Sequence, residues 1–208
     1  MVVQKVKHFT TKLVVKKFAD KLHFVYFGHV GLQDDHTMVL GATASTSHED
    51  NFYTVGYFEG HDVILLQRTN TLHFPGKATV NYKWLIFQFD LKQSNLPHIF
   101  IDNQHHDETF FANLAVGFTK LKDMSGAFTD VGATVLIDPV RYPAARMLLS
   151  PAIVNTLTQN FRHLDVEIND DQLFIYAKDT HINMRLLENI LKLGSWMAAQ
   201  LDSTKLPE

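Results

Sequence analysis

The chain has 208 residues, of which 46% are hydrophobic and 20% are charged, a balance typical of globular proteins. It contains no cysteine, which excludes disulfides and thiolate metal sites. The formal net charge is −3, whereas proteins that bind nucleic acid by releasing counterions are usually basic, so we expect no nucleic-acid partner.

The first segment predicts an amphipathic helix. Apolar residues recur at helical spacing over residues 3–22, and lysines occupy much of the remaining surface. The simpler interpretation is a solvated face on a packing helix, and the alternative is peripheral contact with an anionic membrane. No signal-peptide pattern is present, and no window reaches the roughly 18–20 apolar residues of a membrane span. We therefore expect a soluble, cytoplasmic protein.

The first half of the chain then predicts five or six short strands. Strand-like runs occupy residues 23–30, 38–40, 53–58, 63–71, 82–91 and 98–101, and residues 42–51 have the composition of a loop. No segment of crossover-helix length separates these runs, which favours antiparallel pairing. Residues 109–121 predict a helix, and residues 134–137 predict another strand.

The last third of the chain has the clearest helix-start and turn signals. Asp138-Pro139 and Ser150-Pro151 each place an N-cap residue before a proline, which predicts the start of two helices. Residues 164–168 and 173–176 flank the turn Asn169-Asp170-Asp171 and predict a hairpin with one solvated face. Residues 182–201 predict a long helix.

These elements predict one α+β domain over residues 1–208. An antiparallel β-meander packs with helices, between an N-terminal helix and a C-terminal helix–hairpin–long helix block. If the domain is divided, we expect the subdomain junction near residues 103–108, where a polar loop separates the two halves.

The order of these elements resembles an uncharacterised bacterial family that is known only as a domain of unknown function. The likeness is tightest over residues 128–201. It implies the fold above and no established activity, so no functional residue is carried over from it. Members of that family often carry membrane-spanning helices beside the domain, and here any membrane tie would come through a partner. The segments that carry the resemblance are Phe18-Ala19, residues 57–61, residues 96–101, Phe128, residues 138–146, residues 149–151 and residues 172–176.

Histidine is the one residue type with a high count, at 12. No two histidines have the spacing that would aim both imidazoles from one helix at a metal ion. The densest group of metal-ligating residue types is His105, His106 and Asp107, followed by Glu108. Neighbouring side chains in an extended loop point in different directions, so at most two of them would share an ion. A solvated loop is the alternative interpretation.

No motif identifies a catalytic residue or a cofactor site. The chain lacks a Gly-x-Ser-x-Gly elbow and both common glycine-rich phosphate loops. Arg141 and Arg146 flank a predicted short helix, where they would hold an anionic ligand or make local contacts. Aromatic residues on the predicted strands supply core on one face, and part of the other face is a candidate patch for a partner.

Two functional hypotheses follow. The first is a non-catalytic module that binds a protein partner or assembles with itself. The second is a metal- or ligand-binding protein, or an enzyme, whose histidine-containing site is assembled from distant segments.

Overall fold

A computed structural model describes residues 2–30, 41–43, 48–72, 76, 79–106, 110–111, 118, 120–128 and 132–206, with side chains from residue 10 onward. The described helices are α1 (Val2–Leu22), α2 (Tyr142–Leu148), α3 (Pro151–Asn160) and α4 (Met184–Ser203). The described strands are β1 (Val25–Val30), β2 (His48–Phe58), β3 (His61–Leu72), β4 (Val80–Asp90), β5 (Leu96–Asp102), β6 (Lys122–Asp123), β7 (Thr134–Ile137), β8 (Asp165–Asp170) and β9 (Gln172–Lys178). The predicted α+β class is confirmed.

The described strands form one antiparallel sheet in the order β1-β2-β3-β4-β9-β8-β5-β7-β6. Strands β1 to β4 form a meander as predicted. The strand predicted at residues 98–101 lies in β5, which is not next to β4, because the β8–β9 hairpin of the C-terminal block inserts between them. This insertion places β8 beside β5 and pairs residues that are 65 to 74 positions apart in the chain.

The sheet has two different faces, because side chains alternate along each strand. On the first face, Phe87 and Phe89 join a large apolar core with residues of all four helices. On the second face, Trp84 and Ile86 join an aromatic cluster with Ala42 and with residues 110, 118 and 121. The second face also carries buried polar and charged side chains, and these form the candidate site.

Side-chain caps fix the helix starts in the last third. Asp138 accepts a hydrogen bond from the Val140 amide and opens a short 3₁₀ turn at Pro139–Arg141, which leads into α2. Ser150 accepts from the Ile153 amide at the start of α3, and Asn183 accepts from the Leu186 amide at the start of α4. Each cap satisfies a backbone donor that has no partner inside the helix.

Two local predictions are wrong. The β8–β9 hairpin has no solvated face, because the apolar core covers one face and the aromatic cluster covers the other, so that residues 165–168 and 173–177 are all buried. Residues 48–51, predicted as loop, begin β2, where polar side chains such as His48 and Asp50 are buried. The predicted strand at residues 38–40 and most of the predicted helix at residues 109–121 lie outside the described residues.

None of the helices in the described part of the chain is long and apolar enough to cross a membrane.

Candidate functional site

The candidate site is built on β8, which presents two acidic side chains to the second face of the sheet. Asp165 and Glu167 are both buried, and they alternate with Val166 and Ile168, which belong to the apolar core of the first face. A strand that is covered on both faces normally carries apolar residues on both. Two buried carboxylates on one strand therefore need partners that offset their desolvation.

Asp165 meets Asp102 and His106 in a buried cluster, which we call the DHD cluster. One ligand atom of each residue lies within 4.8 Å of the others. Asp102 is the last residue of β5, and His106 follows in the next loop. Antiparallel pairing of β5 with β8 brings the end of β5 beside the start of β8, so residues about 60 positions apart share one site.

Hydrogen bonds surround the Asp165 carboxylate. Its Oδ1 accepts from the backbone amides of Asn103 at 2.9 Å and Gln104 at 3.1 Å. Its Oδ2 lies 2.7 Å from Nε2 of Gln104 and 2.7 Å from Nε2 of His106. Asp165 therefore ties the loop after β5 to the sheet.

Asp102 accepts backbone hydrogen bonds from Gln104 at 3.1 Å and from His106 at 2.9 Å. Burial and the nearby Asp165 carboxylate nevertheless raise the pKa of Asp102 above its ordinary value. A negative charge on Asp102 therefore costs more free energy here than it would in water.

A second histidine–carboxylate pair lies two residues further along β8, at Glu167. Nε2 of His98 lies 2.9 Å from Oε1 of Glu167, and the Tyr176 hydroxyl donates to Oε2 of Glu167 at 2.5 Å. The Ala42 amide donates to the same Oε2 at 2.7 Å. Burial and Glu167 raise the pKa of Tyr176 well above its ordinary value.

Aromatic rings cover both histidines. The His106 ring stacks on Phe110 at a centroid distance of 4.2 Å and lies 5.3 Å from the Trp84 ring. The His98 ring meets Phe118 edge-on at 4.8 Å. The two pairs therefore lie under an aromatic layer, where electrostatic interactions are stronger than in water.

A buried ion pair lies elsewhere on the second face. Arg68, on β3, donates to Asp50 through Nε at 2.8 Å and through one terminal nitrogen at 2.7 Å. The same guanidinium reaches the Thr43 hydroxyl at 3.5 Å. This bidentate geometry uses both carboxylate oxygens, so the pair joins β2, β3 and the residues around Thr43.

The two described histidines among the sequence-predicted metal candidates have different surroundings. His106 enters the DHD cluster, whereas His105 is exposed and has a backbone φ of 54°. Asp107 lies outside the described residues, so the predicted set stays a prediction. Sequence reasoning missed Asp102 and Asp165. The one local signal was an acidic residue at alternate positions of a strand, and that pattern is also typical of a solvated face.

Arg141, which directly precedes α2, and Arg146, which lies within α2, make local contacts. Arg141 donates to the side chain and the backbone carbonyl of Asn95, and Arg146 donates to the Tyr142 hydroxyl. The Arg146 guanidinium also lies over the Phe128 ring, 5.9 Å from its centroid. These contacts favour the local interpretation of both arginines.

An exposed apolar surface lies at the β1 end of the sheet. Val25, Phe27 and Tyr57 are 58%, 62% and 66% exposed, and we call them the edge patch. Val25 pairs with Val55 across the two strands, and Tyr57 lies two residues beyond Val55 on the same face. The Phe27 ring meets Tyr53 edge-on at 6.1 Å. The patch is therefore a continuation of the aromatic second face into solvent.

No protein-family model matches the chain, and no curated protein matches it in sequence. The fold is similar to the crystal structure of the mycobacterial trehalose monomycolate transport factor A, TtfA. That comparison has a TM-score of 0.61 at 10% sequence identity, and it covers 95% of this chain and 98% of that chain. A likeness at this identity shows the fold alone. The resemblance to a bacterial family of unknown function stays a prediction.

Proposed function

We propose that this protein is a non-catalytic module that binds a protein partner, or a second copy of itself, through the edge patch. The observation that carries the proposal is the exposure of three large apolar side chains on one face of two paired strands. Contiguous apolar surface of this kind is characteristic of interaction sites, since burying it removes apolar area from water.

The strand that carries Val25 and Phe27 supports the proposal. β1 is the first strand of the described sheet, and its sequence, VYFGHV, contains no Asp, Glu, Lys or Arg. At the opposite edge, β6 consists of Lys122 and Asp123, both exposed. Charged, short edges discourage the addition of another strand, whereas an uncharged edge with exposed apolar side chains accepts one more readily.

The structural neighbour gives further support of a general kind. TtfA is named a transport factor. A protein that is named for transport and not for a catalysed reaction thus has this fold, which agrees with a non-catalytic role for the present chain. We propose no cargo for this chain on that basis, and a cytoplasmic location stays a prediction.

The test compares association by the wild-type chain and by a Phe27→Ser, Tyr57→Ser double variant. Both side chains are mostly solvent-exposed, so the double variant is expected to fold normally. Light scattering after size exclusion measures self-association. Quantitative affinity capture from cells that naturally contain the protein measures partner binding.

We expect the double variant to capture at least about tenfold less partner than the wild type, or to be a monomer where the wild type is a dimer. The reason is that a central aromatic residue of an interface contributes about 2 kcal/mol or more. The matched control is Val140→Ser, which removes an 84% exposed side chain beyond β7, far from β1 in the strand order. Equal association by the wild type and the double variant would reject the edge patch as the binding surface.

A further inference from the structure

We propose that the DHD cluster binds one divalent transition-metal ion through Asp102, His106 and Asp165. The three candidate ligand atoms lie within 4.8 Å of one another, which is close enough for a single ion to contact all three after small side-chain adjustments. The ligands come from the end of β5, the following loop and the start of β8, so the fold itself assembles the site.

The charge of the cluster favours a cation. Asp102 and Asp165 are both buried, and the contacts to their carboxylates come from one imidazole, one side-chain amide and backbone N–H groups. A buried charge without a counter-charge is costly, and a divalent ion would balance both carboxylates.

The donor atoms indicate which ions fit. One imidazole nitrogen with two carboxylate oxygens suits zinc, manganese or ferrous iron better than magnesium or calcium, which prefer oxygen ligands alone. The backbone amides that donate to Oδ1 of Asp165 and to Asp102 would then orient the ligating carboxylates, as hydrogen bonds around metal ligands commonly do. The burial of the cluster favours a structural ion that fastens the loop after β5.

Trp84 supplies an independent observation. Its indole lies against His106, with ring centroids 5.3 Å apart. The indole Nε1 is buried, and it has no hydrogen-bond partner among the described residues. Burying such a donor costs free energy. An oxygen ligand that completes the coordination of the ion, such as water, would be a suitable acceptor beside this ring.

The experiment uses the full chain without a His tag, stripped with a chelator and titrated with Zn²⁺ and Mn²⁺ by calorimetry. We expect one ion per chain with one of these metals, and a rise in melting temperature when that metal is added. We expect the His106→Gln and Asp165→Asn variants to lose more than about 100-fold in affinity for the metal ion. Loss of a hydrogen-bond partner outside the ligand set lowers metal affinity by only about 10–100-fold.

The matched control is His105→Gln, because His105 is the exposed neighbour of the proposed ligand. It should bind the ion as the wild type does. If circular dichroism shows that either ligand variant is unfolded, Asp102→Asn decides, since it keeps an acceptor oxygen but removes the charge. Absence of stoichiometric binding by the wild type, or equal binding by the folded ligand variants, would overturn the proposal.

Discussion

At the scale of single residues, α4 packs closely on the sheet because position 194 has no side chain. A Cβ added at Gly194 would lie 2.0 Å from the ring of Phe89, which is fully buried and surrounded by the core of the first face. Glycine inside a helix costs about 1 kcal/mol relative to alanine. The close approach of helix and strand therefore accounts for a residue that helix propensity disfavours.

Gly194→Ala should destabilise the protein by about 1–3 kcal/mol, because the overpacking of a well-filled core outweighs the gain in helix propensity. Urea unfolding measures the change. Gly126→Ala is the matched control, since a Cβ there meets nothing within 4 Å, and its effect should stay within about 0.5 kcal/mol. A Gly194→Ala protein as stable as the wild type would show that α4 does not pack as described.

Tyr176 should control stability in alkaline solution. Its pKa in the folded protein is raised, chiefly by burial and then by Glu167. Above a pH of about 10, the unfolded chain loses this phenolic proton while the folded protein keeps it, so the free energy of unfolding falls as pH rises. Below that pH the stabilising contribution is fully present.

In Tyr176→Phe, we expect a shallower fall in the free energy of unfolding above pH 10. At neutral pH the variant should lose about 1–3 kcal/mol, because buried Glu167 loses a hydrogen-bond donor. Tyr57→Phe, at an exposed position, is the control. Denaturant titrations between pH 7 and 11 measure both effects. An identical slope above pH 10 for Tyr176→Phe and the wild type would contradict this role of Tyr176.

At the scale of elements, β8 holds the loop after β5 through side-chain hydrogen bonds, in addition to the backbone hydrogen bonds between the strands. Asp165 accepts two backbone amides of that loop, those of Asn103 and Gln104, and also contacts the side chains of Gln104 and His106. Removal of this one carboxylate would take this acceptor from the Asn103 amide and from the side chains of Gln104 and His106, while the Gln104 amide would keep its hydrogen bond to Asp102.

Asp165→Ala should therefore cost about 3 kcal/mol or more, because several donors lose this acceptor and each buried donor without a partner costs about 1–3 kcal/mol. The measurement is urea unfolding with a chelator present, so that bound metal ions do not contribute. Asp171→Ala, in the exposed turn of the same hairpin, should change stability by no more than about 0.5 kcal/mol. A loss below 1 kcal/mol for Asp165→Ala would show that the loop does not depend on it.

Local chemistry in the sequence predicts several elements well. The helix predicted over residues 3–22 corresponds to α1, and the strand predicted over residues 134–137 corresponds to β7. The caps Asp138 and Ser150 could be predicted because each accepts a hydrogen bond from an amide no more than three residues further along the chain. The order of β9, β8 and β5 in the sheet could not be predicted, because pairing between strands that are distant in the chain leaves no local sequence pattern.

The same distinction explains what the sequence revealed of the candidate site. His106 stood out because metal-ligating residue types are dense around it. Asp165 did not, since an acidic residue at alternate strand positions normally faces solvent. Only the insertion of β8 beside β5 buries it, and its partner His106 is 59 positions away. A site assembled by strand pairing therefore becomes visible only with the fold.

At the scale of the whole molecule, the described sheet is covered on both faces along most of its length. Helices cover the first face, and residues such as Ala42, Phe110 and Phe118 cover the second. At the β1 end the second face continues into solvent as the edge patch. The apolar side chains of the edge patch are exposed, although they continue the buried face. This exposure is the physical basis for proposing association at this end.

Site-specific photo-cross-linking in cells that naturally contain the protein measures association at the edge patch. A benzophenone-bearing phenylalanine analogue replaces Tyr57 in one variant and Val140 in the control, both mostly exposed positions. We predict a discrete cross-linked product, with a partner or with a second copy of the chain, from position 57 and not from position 140. No product from position 57, or the same products from both positions, would contradict the account.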